Sequence, residues 1–312
     1  MDKDLKRKLE QAEAYIATHG RGVERARFDF LFQNGSKEKV IEELKKYQNE
    51  DGGFGHGIEP DFWLPASSAI GTWTAGQILL EIGAGQEEPM VMEMLTYLVN
   101  TADTKTGIWE TVRPANNEYP HAPWWHWQEG AQENWMFNPG AELAGFLVHW
   151  SASETEAWHT GWNSIEKAVN HLMNQSEMDW HEVNNFLHLM KIIKPFEQEF
   201  NSKLPYRLED AAEKVFSLAE KAVERNVAEW GNGYKALPLD FVDGPDNPLS
   251  ERFGPLVEQN FHFYLETMDE EGVWDTSWSW GMYPEEAEAA RRYWKGILAV
   301  RRYKLFQAFG YL

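Results

Sequence analysis

Apolar residues recur along this chain at the three- and four-residue steps that place them on one side of a helix. The sets are Leu5, Leu9, Ala12 and Ile16; Val40, Leu44 and Tyr47; Val91, Leu95 and Leu98; and Trp158, Trp162, Ile165, Val169 and Leu172. They continue with Val183, Leu187 and Met190; Leu208, Ala212, Val215 and Ala219; Val257, Phe261, Tyr264 and Met268; and Trp294 with Ile297 or Leu298. No stretch alternates with the two-residue period of a strand. The pattern predicts an all-α fold of about eleven helices. Pro65, Pro89, Pro139, Pro255 and Pro284 fall where first turns are expected, and Gly20, Gly83 and Gly310 just past helix ends.

A turn recurs between these helices. Gln48-Asn49-Glu50-Asp51-Gly52-Gly53-Phe54, Thr106-Gly107-Ile108-Trp109 and Asp269-Glu270-Glu271-Gly272-Val273-Trp274 each follow a helix and carry a glycine and then a large side chain. Weaker copies stand at Asp179-Trp180 and Trp230-Gly231. The spacing of roughly 45 to 70 residues is that of two helices plus loops, an internal repeat of helical hairpins. One hairpin cannot bury its own apolar stripe, whereas stacked hairpins can. The last helix, from Pro284 to Phe309, is apolar enough to pack on the first hairpin. The expected architecture is therefore a closed ring, an α/α toroid, with an open solenoid as the alternative. No Gly/Ser-rich or Pro-rich linker interrupts residues 1–312, so a single domain is expected.

The segment from Gln48 to Phe54 resembles the QW-type repeat of the terpenoid cyclase and protein prenyltransferase superfamily. The later copies keep Gly and Trp but carry Asp103 and Met268 where the Gln would stand. The resemblance implies an α/α toroid. Ile58-Glu59-Pro60-Asp61, Pro120-His121-Ala122-Pro123-Trp124-Trp125 and Pro238-Leu239-Asp240-Phe241 are similar to recurring features of bacterial prenyltransferase-like or squalene-cyclase-like proteins of unassigned activity. Two departures stand out. The chain has no Cys for the zinc site of a protein prenyltransferase, and no Asp-x-Asp-Asp element of the kind that protonates squalene. Similar turns also occur in helical toroids that act on polysaccharides, so the motif speaks for fold before substrate.

Composition narrows the partners. A formal charge of −21 repels phosphate backbones and anionic lipid, which argues against nucleic acid and membrane surfaces. No apolar run approaches the 18 or so residues of a membrane span. Without cysteine there is neither a disulfide framework nor a thiolate metal site, and the opening residues lack a signal-like apolar core; a cytoplasmic location is expected. Sixteen Trp in a chain with 25% charged residues must be gathered in a core or along a cavity. The expected partner is a small-molecule substrate; the oligomeric state is not legible.

Four segments carry candidate chemistry. His56-Gly57-Ile58-Glu59-Pro60-Asp61-Phe62-Trp63 places Glu59 and Asp61 near a His and aromatic rings, as an acid/base site would, or as a cap for the helix expected near Pro65. Residues 113–138 show no helical period and hold Tyr119, His121, Trp124, Trp125, His126, Trp127, Glu129, Glu133 and Trp135. Such a long irregular loop suits a substrate wall of Trp124, Trp125 and Trp127 with His121 or Glu129 moving a proton; the plainer alternative is a packed lid. The region from Trp230 to Phe253 carries Asp240, Asp243 and Asp246, which could line a cavity, hold a divalent cation or serve as turn residues. Asp240, between Leu239 and Phe241, is expected to face inward. Trp274, Asp275, Trp278, Trp280 and Tyr283 form the last aromatic cluster, either a cavity wall or core packing.

No phosphate-cradling loop, dinucleotide fingerprint or nucleophile elbow is present, so no organic cofactor is called for. The leading expectation is an enzyme using Glu59, Asp61, His121 and Asp240 in acid/base chemistry. His56, Trp124, Trp125, Trp127, Glu129, Trp278 and Trp280 would line its cavity, and the substrate would be an isoprenoid or other bulky molecule. The alternatives are a glycoside hydrolase or polysaccharide lyase, and a non-catalytic binding toroid.

Overall fold

In a computed structural model of the chain, which describes residues 3–312, the helical periods become thirteen α-helices joined by turns and short 3-10 segments. The described residues contain isolated antiparallel bridges but no strand. The excess over the expected eleven comes from short helices, Glu197–Lys203 and Pro248–Phe253 among them. The latter closes the region from Trp230 to Phe253, where Asn247 caps it by accepting from the Leu249 amide at 2.9 Å.

The chain divides into two compact units, one of residues 45–222 and the other of Met1–Leu44 with Val223–Leu312. In the first lie α4 (Ala69–Glu81), α5 (Pro89–Thr101), α6 (Gly140–Trp150), α7 (Glu156–Asn174), α8 (Trp180–Ile193), α9 (Glu197–Lys203) and α10 (Leu208–Ala222). The sequence of α6, GAELAGFLVHW, is apolar nearly all round, and a helix of that kind belongs in a core. It packs on α4, α5, α7 and α8, and only His149 among its residues is exposed. The helices begin where side chains satisfy free amides: Ser68 caps α4, Thr155 caps α7 and Asp179 caps α8. Pro65 lies ahead of α4 rather than in its first turn, and the Asp179-Trp180 pair is a helix cap rather than a copy of the repeat turn.

The second unit holds α1 (Lys3–His19), α2 (Gly22–Phe32), α3 (Lys37–Leu44), α11 (Pro248–Phe253), α12 (Pro255–Thr267) and α13 (Pro284–Ala308). Here α13 packs on α1 and α2, α2 on α3, and α12 on α11.

The three strong repeat turns share one bonding scheme. Asn49 N donates to Gly53 O at 2.9 Å, Asp103 N to Ile108 O at 3.1 Å and Asp269 N to Val273 O at 3.0 Å. The glycine inside each has positive φ: Gly52 at 87°, Gly107 at 73° and Gly272 at 75°. A side chain would be strained there. The Trp that ends two of them plays a specific part, because the last carbonyls of a helix have no partner within it. Trp109 Nε1 donates to Leu98 O in the last turn of α5 at 2.9 Å, and Trp274 Nε1 to Tyr264 O in the last turn of α12 at 2.7 Å. Trp230 Nε1 bonds Glu224 O just past α10 at 2.8 Å in the same manner. In the first copy Gln48 bridges instead, its amide donating to Gly52 O and to Met90 O at the start of α5, both at 3.1 Å.

Candidate functional site

Two of the segments singled out in the sequence lie side by side in the first unit. Phe62 pairs antiparallel with His121, Ala122 N donates to Asp61 O at 2.8 Å, and Trp63 N to Pro120 O at 3.0 Å. Glu59 and Asp61 are both buried, and Glu59 Oε2 accepts the Asp61 amide at 2.6 Å. That bond holds the local turn. Neither residue caps α4, which Ser68 does. His56 is exposed and bonds through Nε2 to Asn49 Oδ1 at 2.9 Å, which ties it to the first repeat turn.

The imidazoles of the following loop form a chain whose proton positions follow from its ends. Tyr119 O can only accept, so the His121 Nδ1 that lies 2.6 Å away carries a proton. When its ring is neutral, His121 then accepts at Nε2 from His126 Nδ1, 3.1 Å distant. His126 Nε2 in turn accepts from Asn117 Nδ2 at 3.4 Å. Asn117 is itself oriented by Trp127, whose N donates to Oδ1 at 2.8 Å and whose O accepts from Nδ2 at 2.9 Å. Both nitrogens of His121 are therefore engaged in ordering the loop.

The expected tryptophan wall separates into different environments. Trp125 is buried, stacked on Trp135 at 4.6 Å and tilted against Phe62 at 5.9 Å. Its Nε1 meets no acceptor among the described residues. Trp127 is half-buried, Glu129 is exposed, and Trp124, with 37% of its surface accessible, offers its indole to solvent. Of the three tryptophans, Trp124 is the one most open to a ligand.

Asp240, Trp278 and Trp280 belong to the second unit. Trp280 is buried, and half-buried Trp278 meets Tyr234 and Trp294 edge-on at 5.1 and 5.2 Å. Asp240 corrects an expectation: Leu239 and Phe241 turn inward, and Asp240 between them is reached by solvent while Oδ2 accepts the Leu237 amide at 2.7 Å. Desolvation by surrounding protein nevertheless raises its carboxyl above the usual aspartate range, against the opposing pull of that amide and of Arg302 and Arg301. Asp243 Oδ1 accepts from Asn247 Nδ2 at 3.0 Å, the turn role allowed for it. Among the described residues no three His, Asp or Glu side chains are grouped as metal ligands.

The arrangement with most catalytic character was missed in the sequence. Glu142, near the start of α6, is 2% exposed. Its Oε2 accepts from Trp73 Nε1 at 2.7 Å and lies 3.0 Å from His188 Nδ1 on α8. Gln77 Nε2, one turn beyond Trp73 on α4, reaches both carboxylate oxygens at 3.2 and 3.3 Å. The side chain of His188 is 49% exposed. A carboxylate offers only acceptors, so it draws the proton of His188 to Nδ1, which Gln77 Nε2 also approaches at 3.3 Å. Helices α4, α6 and α8 together hold one carboxylate–imidazole pair that is buried at one end and wet at the other. A signal for it existed: Glu142 is the one acidic residue in a helix that is apolar apart from it and His149.

A second pair supports the first. Glu182 on α8 accepts the Phe137 amide at 3.1 Å and lies 3.2 Å from His171 Nε2. Asn185 Nδ2 donates to Asn138 Oδ1 at 2.9 Å. These bonds anchor the residues just ahead of α6, and with them the position of Glu142.

Searches against family models, curated proteins and solved structures match nothing to this chain. Among the described residues no helix is long and apolar enough to cross a membrane.

Proposed function

We propose that the protein is a cytoplasmic enzyme that moves a proton on a bulky, ring-bearing small molecule, with His188 exchanging the proton and Glu142 orienting it. The supporting observation is the 3.0 Å approach of Glu142 to His188. Taking a carboxylate out of water costs several kcal/mol, which the bonds from Trp73, Gln77 and His188 must offset. An apolar side chain at position 142 would suit the packing of α6 better.

Between the two substrate classes expected from the sequence, a hydroxylated ring such as a sugar fits this site better than an isoprenoid. Indole N–H, amide, carboxylate and imidazole groups gather on one side of α4, α6 and α8, and polar groups set against hydrocarbon lose their partners. The closed ring of hairpins and the likeness to terpenoid cyclases belong to this reading, and small-angle scattering of the full chain separates a ring from an extended stack.

The test is incubation of the full chain with pooled oligosaccharides and a metabolite extract in deuterated water, read by mass spectrometry. Wild type is expected to convert or deuterate at least one species, and His188→Gln and Glu142→Gln are expected to lose that conversion. Equal conversion by His188→Gln and wild type overturns the assignment.

A further inference from the structure

In the second unit, the approach to α11, the start of α12 and the tail after α13 enclose an open groove of about 410 Å³, the size of a small-molecule site. Its apolar surface comes from Val257, Phe261, Phe309 and Tyr311, and Glu251 and Glu258 stand on its margin. No Lys, Arg or His lines it. The rings of Phe309 and Tyr311 lie 5.0 and 4.8 Å from that of Phe261, and Tyr311 is exposed.

These properties select a ligand by charge. Aromatic faces are negative and attract cations within about 6 Å of the ring centroid. Both glutamates are exposed, and the imidazole nearest Glu258, that of His262, stands 3.9 Å away. An anion entering here meets two carboxylates in a chain of formal charge −21. A neutral hydrocarbon gains nothing from them. The other recess of this unit, about 200 Å³ beside Tyr15, is different: Arg291, Arg292 and Lys295 line it, and each has an acidic partner within 3.9 Å.

We propose that the groove beside α12 binds a small organic ammonium ion carrying apolar substituents. The charged head lies between Glu251, Glu258 and the face of Tyr311, and the apolar part covers Val257 and Phe309.

Isothermal titration of the full chain with benzyltrimethylammonium chloride tests this, with benzyl alcohol as the neutral and benzenesulfonate as the anionic comparison. Saturable one-site binding of the ammonium below about 1 mM is expected, weakening at least about tenfold in the Glu251→Gln/Glu258→Gln variant and again as salt is raised. Tyr311→Ala, a change at an exposed side chain, is expected to weaken it about threefold or more. Benzyl alcohol and benzenesulfonate should bind at least about tenfold more weakly than the ammonium. The proposal is overturned if the ammonium fails to saturate by about 10 mM, if the double variant binds it as wild type does, or if either comparison compound binds equally well.

Discussion

His188 Nδ1 lies 3.0 Å from Oε2 of Glu142, an oxygen that also accepts the indole proton of Trp73 at 2.7 Å. The carboxylate thus dictates which imidazole nitrogen is protonated. Nitrogen-15 shifts of the His188 ring are expected to report the Nδ1–H tautomer when the ring is neutral. In Glu142→Leu the Nε2–H form, the usual one for a free imidazole, should take over. An Nε2–H ring in wild type contradicts the assignment.

The indole bonds that end the repeat turns make a second prediction. Trp109→Phe and Trp274→Phe keep an aromatic ring but strand the buried carbonyls of Leu98 and Tyr264. Each should lose about 1–3 kcal/mol in urea unfolding, with some further loss from the smaller ring. Unchanged midpoints would mean that these carbonyls find other donors.

The repeat turns were readable in the sequence because glycine followed by a large aromatic has a local cause: a positive φ and a helix end to close. The all-helical class was readable for the same reason, since the period of Trp158, Trp162, Ile165 and Val169 is a property of one helix. The site was less legible. Glu59, Asp61 and His121 stand out as loop residues, and two of those loops do run together, yet the side chains of Glu59 and His121 hold local turns and Asp61 joins the two loops through its backbone. Glu142 and His188 are 46 residues apart on separate helices, and nothing local in the sequence shows that they meet. Helix α6 carried the clue, a single carboxylate among apolar neighbours, but a pairing across helices is decided by packing.

Gly52 joins backbone and packing in one position. Its φ is 87°, and a Cβ there would stand 2.1 Å from the carbonyl oxygen of Glu93 in α5. That oxygen belongs to main chain and cannot swing aside. Gly52→Ala is expected to lose about 2 kcal/mol or more. Gly231→Ala, where an added Cβ meets nothing within 4 Å, should change stability by about 0.5 kcal/mol or less. Denaturant midpoints of the two variants compare them directly, and equal losses would show that the turn yields.

Asp240 gives a pH dependence whose sign follows from its raised carboxyl. In the unfolded chain it titrates near about 3.9. Above that pH the unfolded state releases this proton before the folded state does, so the folded state binds more protons at the site. Stability assigned to Asp240 is therefore complete below the unfolded value and is lost as pH rises through the higher folded one. Asp240→Asn can still accept the Leu237 amide through Oδ1 but has no proton to release. The stability of the variant relative to wild type should rise from about pH 4 upward and then level off. Urea unfolding of both proteins at several pH values isolates the effect, because every other titrating group cancels in the difference. A difference that stays flat across this range would mean that water screens Asp240 fully.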